Sequence, residues 1–280
     1  MGKAENLRLF AEEIRVATLK EFACLGFGHV GGALSVVETL AVLYGGLMKI
    51  DPKNPALPDR DRLVISKGHA GPALYATLAL KGYFPMEVLE TLNKPGTSLP
   101  SHCDRNKTPG VDMTTGSLGQ GVSTAVGQAI GQKMDGQGAR TFLIIGDGEC
   151  NEGQVWEGVM LAAHRKLDNL TLFLDQNGQQ LDGYTKNVQE SFDFAQKFTA
   201  FGWRAVTVDG HDVGALQKAA EEALAHKRQP TCIVMKTRKG NGCFFVEGQE
   251  FNHHVQFTPE QSEKAVSDAE AVLAAARAAV

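Results

Sequence analysis

The chain has 280 residues, 43% hydrophobic and 21% charged, with a net charge of −4 and scattered basic residues. That balance excludes a disordered chain and gives no basic surface for nucleic acid or an anionic membrane. No apolar run approaches the ~18–20 residues of a membrane span, residues 1–10 are too polar for a secretory leader, and the five cysteines form no CxxC pair, so a cytoplasmic protein with reduced thiols is expected.

Taken in chain order, residues 5–25 carry apolar side chains at helical spacing (Leu9, Phe10, Ile14, Ala17, Leu19) and predict a helix stopped by Gly26 and Gly28. Gly31 and Gly32 open a second apolar helix over 34–48. Pro52, Pro55 and Pro58 make 51–61 an extended connector. A short strand at 62–65 and a helix reaching Ala79 follow. Residues 110–153 hold 11 of the 31 glycines, a density that disfavours regular structure and suits positive φ or close approach to the backbone. Within that stretch an apolar run at 141–145 ends in Gly146-Asp147-Gly148. A second run at 170–174 ends in Asp175-Gln176-Asn177-Gly178, and 154–166 between them reads as helix. Strands apolar on both faces, joined by a helix, predict an α/β fold: a parallel sheet with helices on both faces. Runs at 205–208 and 232–235 around a helix over 213–226 repeat the unit, and the Ala-rich 259–280 predicts a surface helix. No repeat, linker or composition break divides the chain, so residues 1–280 are expected to form one domain.

In open parallel sheets ligands sit beyond the carboxyl ends of the strands. Here two successive strands end in Asp147 and Asn177, with 28 residues between Gly148 and Asn177. A carboxylate and an amide oxygen at neighbouring strand ends make half of an octahedral Mg²⁺ site, with phosphate oxygens and water to complete it. The adjacent glycines let a diphosphate approach the backbone, and the following helix can point its N-terminus at it. Each turn taken alone, Gly-Asp-Gly or Asn-Gly, is an ordinary turn sequence; their pairing across one crossover helix favours a site.

The spacing resembles the thiamine diphosphate motif, and three further stretches resemble transketolase: Ser66-Lys67-Gly68-His69-Ala70, Thr114-Thr115-Gly116-Ser117-Leu118-Gly119-Gln120-Gly121, and Asp175 through Gly183. The similarity runs from about residue 5 to about 258. It implies the fold and cofactor of that family, thiamine diphosphate with Mg²⁺ (or Ca²⁺ or Mn²⁺ in its place). It implies that Asp147, Asn177 and the carbonyl of Gln179 hold the metal. Gly116, Leu118, Gly148, Glu149 and Asn177, with His69 and His253, would lie along the cofactor. His29, His69, His102 and His253 match histidines of the catalytic channel, where imidazoles can hold or move protons on a polyhydroxylated sugar. Phe251-Asn252-His253-His254 departs from the family pattern, which leaves His254 as the alternative to His253, and Pro100-Ser101-His102-Cys103 departs as well. Glu152 and Glu157 match an acidic pair at the family's dimer interface. His164, His211 and His226 read as structural, and Cys150, with no adjacent base, is given no nucleophilic role.

The family's ring-activating glutamate belongs to a pyrimidine-binding domain that would follow residue 280. The resemblance therefore implies a diphosphate-binding section that works with a complementary C-terminal subunit. The alternatives are an N-terminal subunit of a split enzyme and a piece of a longer one, and the tail helix ending without a linker favours the first. The expected activity is transfer of a two-carbon ketol unit from a ketose, expected to be phosphorylated, to an aldose, with self-association to a dimer. Two other readings stand beside it: the α subunit of a 2-oxo acid dehydrogenase, which shares the cofactor motif, and a non-catalytic cofactor-binding subunit. The stretches at 66–70 and 114–121 favour the transketolase.

Overall fold

The computed structural model describes residues 3–136 and 138–278. A long helix α1 (Lys3–Leu25) leads into the short strand β1 (Phe27–Gly28), then α2 (Val30–Leu34), α3 (Val37–Val42) and a π-helical turn at Leu43–Leu47. The first strand of the main sheet, β2 (Arg62–Ile65), is followed by α4 (Gly71–Leu80) and α5 (Gln120–Asp135). Next come β3 (Thr141–Gly146), α6 (Gly153–His164), β4 (Leu170–Gln176) and a small hairpin of β5 (Gln179–Gln180) and β6 (Gly183–Tyr184). The chain then runs through α7 (Thr185–Val188), α8 (Phe194–Ala200), β7 (Arg204–Asp209), α9 (Val213–Ala225), β8 (Thr231–Lys236), β9 (Val255–Gln256) and α10 (Pro259–Ala278).

Strands β2, β3, β4, β8 and β7 lie side by side in that order and are all parallel. The alternation of side chains along a strand sorts their residues into two cores. Phe142, Ile144, Phe173, Ile233 and Met235 belong to one core with residues of α1, α3, α4, α9 and α10. Leu143, Ile145, Leu172, Leu174, Cys232 and Val234 pack under α5, α6 and α8. A run with no polar face is thus what a strand covered on both sides requires, and the expected architecture is the one observed. α10 lies along α1, burying Ala265, Ala269 and Leu273, and the pair is joined by Lys20–Glu270 and Arg277–Glu13 at 2.7 and 3.0 Å. Among the described residues no helix is long and apolar enough to cross a membrane.

Two expectations about local structure need correction. The apolar helix over 34–48 is broken: α2 begins before it, Val36 leaves helical geometry, and α3 ends in the π turn. The break puts the Ser35 hydroxyl on Asp175 Oδ2 at 2.6 Å, a tertiary bond that periodicity does not reveal. The glycine-rich stretch is not without regular structure, since the 16-residue α5 runs through it. Gly121 is there for contact: a Cβ would stand 2.4 Å from Ser66 Oγ and 2.8 Å from Ser66 Cα. Gly121→Ala is therefore expected to cost about 1–3 kcal/mol by overpacking, measurable as a fall in the denaturant midpoint. No change would mean the α5–β2 contact is loose. Of the tail helix expected over 259–280, the last two residues lie outside the described residues.

Candidate active site

The carboxyl ends of β2, β3, β4 and β8 converge on a cleft of about 260 Å³. Its wall includes Lys67 and His69 after β2, Gly146 to Glu149 after β3, Asn177 and Gln179 to Asp182 after β4, and Lys239 after β8, with Leu118, Glu152 and His253. Asp147 leaves β3 and is 2% exposed. Its Oδ1 accepts the Gly148 amide at 2.8 Å and its Oδ2 the Gly178 amide at 2.6 Å, so it ties the ends of β3 and β4 together. Burial, and then the negative charge of Asp175, push its pKa up to about 7. Asn177 turns its Oδ1 to the Gln179 amide at 3.0 Å and donates from Nδ2 to Asp175 Oδ2 at 2.9 Å.

Beneath these residues lies Asp175, fully buried. It accepts hydrogen bonds from Ser35, Lys67 Nζ, Thr237 and Asn177. Burial alone would raise its pKa, but Lys67 beside it and the bonded hydroxyls outweigh that and hold it below the usual range. Lys67 and Lys239 are 2% and 3% exposed, so the cleft wall carries two buried cations. Burial, and then Lys67, lower Lys239 to about 8.

Gly148 lies against the hairpin: a Cβ there would stand 2.7 Å from Gln180 Cβ, so only glycine lets the two strand-end turns close on one another. Leu118 is half-buried in the wall, where its carbonyl accepts from Gln154 at 3.3 Å, and Gly116 backs onto the His102 ring. Glu149 is 2% exposed, and its carboxylate binds inward, accepting from Ser66, from the Gly119 amide at 2.8 Å and from the Gly146 amide at 3.2 Å. It knits three loops and leaves the cleft-facing chemistry to its neighbours. Glu152 and Glu157 are exposed, the first at the residue before α6, on the cleft wall.

The predicted histidines gather around His29. Its ring centroid lies 5.7 Å from His69, 5.1 Å from His102, 5.3 Å from His253 and 4.9 Å from His254. Antiparallel pairing of Gly28 with Val255 brings the two distant segments together. His253 is half-buried, 4.6 Å from His69 between centroids and 3.4 Å from Lys239 Nζ by its Nδ1, whereas His254 is exposed and leans on Phe27. Burial, then neighbouring imidazoles and lysines, lower His29 to about 4 and His253 to about 3. Burial also drives His69 and His102 down. At neutral pH these rings are neutral and can each donate and accept.

The shift carries a pH dependence. An unfolded histidine titrates near ~6.5, so between that pH and about 4 the unfolded chain takes up a proton that folded His29 refuses. The stability conferred by the neutral ring is complete above that window and is lost as pH falls through it. Melting curves at pH 7.5 and 5 should show a smaller loss for His29→Asn than for the unaltered chain. Equal losses would mean His29 titrates freely.

The donor set at the strand ends is all oxygen: the Asp147 carboxylate, the Asn177 amide oxygen and the Gln179 carbonyl. Among the described residues no three His, Cys, Asp or Glu side chains form a metal cluster, and no side-chain cation pairs with Asp147. A carboxylate raised by burial and by a second carboxylate is one that a hard divalent cation would stabilise, and Mg²⁺ favours such oxygens together with phosphate. These residues fit a diphosphate with its cation.

Sequence reasoning assigns no role to Lys67, Asp175 and Lys239. Lys67 and Asp175 lie inside stretches already singled out. Lys239 precedes a glycine in Arg238-Lys239-Gly240, three residues beyond the end of a buried strand, a weaker form of the signal that marks Asp147.

The family profile described as "Transketolase, thiamine diphosphate binding domain" matches residues 7–266. The chain belongs to the transketolase family. Within it, the chain corresponds to the thiamine diphosphate-binding section of a ketol transferase, thiamine diphosphate is its cofactor, and the α/β fold is the family's. It is 52% identical over 265 residues to the 6-deoxy-6-sulfo-D-fructose transketolase subunit SqwG of Clostridium sp. (strain MSTE9), covering 95% of this chain and 96% of that one. It is 35% identical over 266 residues to an apulose-4-phosphate transketolase subunit of Phocaeicola vulgatus, covering 95% and 94%. Among solved structures, transketolase from Leishmania mexicana superposes with a TM-score of 0.88 at 32% identity over 98% of this chain, which spans only 42% of that transketolase chain.

Proposed function

We propose that this transketolase chain is the diphosphate-binding subunit of an enzyme whose second, pyrimidine-binding subunit completes the active site. The supporting observation is the cleft, where a carboxylate and an amide end neighbouring parallel strands opposite two buried lysines, beneath a cluster of neutral histidines. Asp147, Asn177 and the Gln179 carbonyl hold Mg²⁺, or Ca²⁺ or Mn²⁺ in its place. Lys67 and Lys239, with the turn at Gly148, face the diphosphate. Gly116, Leu118 and Glu149 form or brace the wall along the cofactor.

When bound, thiamine diphosphate supplies the carbanion chemistry that lets a two-carbon unit leave one sugar and join another. This chain's residues orient and move protons. Neutral His29, His69, His102 and His253 hold substrate hydroxyls and accept or return their protons. Glu152 and Glu157 face the partner at an interface of paired heterodimers. The place of action is the cytoplasm, which the five free cysteines favour.

The donor we propose is a ketose bearing a strong anion. One relative is named for a sulfo sugar and the other for a phosphorylated one, so sulfonate and phosphate ketoses are the two candidates, with the sulfo sugar favoured by 52% against 35% identity. The test is to assay this chain with and without its second subunit on a 6-sulfo ketose and a ketose phosphate, following the new ketose and any carbon dioxide. Ketol transfer that requires both subunits and releases no carbon dioxide is expected. Carbon dioxide release would move the chain to the 2-oxo acid dehydrogenases, and full activity of the chain alone would remove the second subunit.

A further inference from the structure

We propose that His211, outside the cleft, is a positioning residue that sets Lys239 in place. The inference rests on the reading that Lys239 faces the diphosphate. Inside the cleft, the hydrogen-bond contacts of Lys239 Nζ among the described residues are long, 3.4 Å to the Gln180 carbonyl and 3.4 Å to His253 Nδ1. Contacts of that length do not fix a four-carbon side chain. The position of the amine is set by the backbone that carries it, and that backbone is held from its other side.

His211 lies in the turn between β7 and α9, and its Nε2 accepts the amide of Arg238, the residue before Lys239, at 2.8 Å. A ring accepting at Nε2 carries its proton on Nδ1. That atom lies 3.2 Å from Glu38 Oε2, an oxygen otherwise without a hydrogen-bond donor among the described residues. Nδ1 also lies 3.1 Å from the Asn241 amide nitrogen, but a protonated Nδ1 donates, so the carboxylate is its partner. Glu38 is 5% exposed, and its Oε1 takes Arg15 Nη2 at 2.5 Å. Burial works to raise Glu38, yet Arg15 and the His211 bond hold it below its ordinary pKa, so the carboxylate is charged. Arg15 Nη1 in turn donates to the Asn241 carbonyl at 2.7 Å.

The chain Arg15–Glu38–His211, buried at Arg15 and Glu38 and half-buried at His211, is drawn from α1, α3 and the β7–α9 turn and grips segment 238–241 at two backbone points, one on each side of Lys239. With the backbone fixed, the amine is presented in advance and binding does not have to order it.

The experiment measures thiamine diphosphate affinity by calorimetry in the assembled two-subunit enzyme for His211→Phe, Lys239→Met, the double variant and His211→Gln. His211→Phe should weaken binding about tenfold, the scale of one hydrogen bond to a charged group, with kcat at saturating cofactor nearly unchanged. His211→Gln, whose carbonyl can accept from Arg238, should recover part of the loss. In the Lys239→Met background His211→Phe should add almost nothing, because the residue it positions is gone. Equal, additive losses in both backgrounds would overturn the inference and leave His211 a general stabiliser. Unchanged affinity in Lys239→Met alone would instead overturn the reading of Lys239.

Discussion

Asp147→Asn is expected to weaken thiamine diphosphate binding in the presence of Mg²⁺ by roughly 10²- to 10³-fold, while the cofactor-free chain melts within a few degrees of the unaltered one. The two halves of that result have one cause. Asp147 is buried beside Asp175 and its pKa stands at about 7, so the cofactor-free fold does not depend on its charge. The proposed metal does depend on it. Removing one partner of a buried charge pair costs about 3–5 kcal/mol, and 1.4 kcal/mol is about a factor of ten in affinity. The Gly148 amide keeps an acceptor in the Asn variant, which limits the damage to the turn. Calorimetry with and without Mg²⁺, beside a melting curve, separates the effects. A variant that binds cofactor normally contradicts the metal assignment, and one that collapses without cofactor shows Asp147 to be structural first.

The second large effect concerns the pair under the site. Lys67→Met is expected to destabilise the chain by about 3–5 kcal/mol, since it leaves Asp175 fully buried without the cation that keeps it ionised. Asp175 would keep only the Ser35 and Thr237 hydroxyls and the Asn177 amide as donors. Adding Asp175→Asn should restore much of that loss, because the double variant no longer buries an unpaired charge. Cofactor affinity should stay low in both, as the cleft has lost one of its two cations. Urea midpoints give the stability and calorimetry the affinity. A Lys67→Met loss below about 1 kcal/mol would place the pair in the class of weak surface bridges.

The sheet was legible in the sequence because its strands are buried on both faces. The runs at 141–145 and 170–174 have no polar side to misread, and their bounds fall within one or two residues of β3 and β4. The break in the helix expected over 34–48 is not legible locally: it places Ser35 on Asp175, 140 positions away, a contact that helical periodicity does not carry. Helix α5 is hidden by its glycines, of which Gly121 packs on Ser66 while Gly127 and Gly131 have no neighbour that requires them, and such a composition resembles a loop when neighbours are unknown. At the site, motif spacing points to Asp147 and Asn177 at strand ends, and the resemblance adds the four histidines. It did not point to the buried ion pair or Lys239, because their roles arise from burial and from which strand ends lie side by side. The order β4–β8 sets Lys239 near Asn177, and nothing in the local sequence states that adjacency. Glu149 shows the opposite limit: its place at the cleft was legible, but the inward direction of its carboxylate was not.

The most direct test of the strand-end site is the anomalous scattering of Mn²⁺ in crystals of the assembled enzyme grown with thiamine diphosphate. A peak is expected about 2.1–2.3 Å from Asp147 Oδ, Asn177 Oδ1 and the Gln179 carbonyl, with the diphosphate between it and Lys67 and Lys239. A metal held elsewhere, or a diphosphate that leaves the cleft between β3 and β4 unfilled, would contradict it.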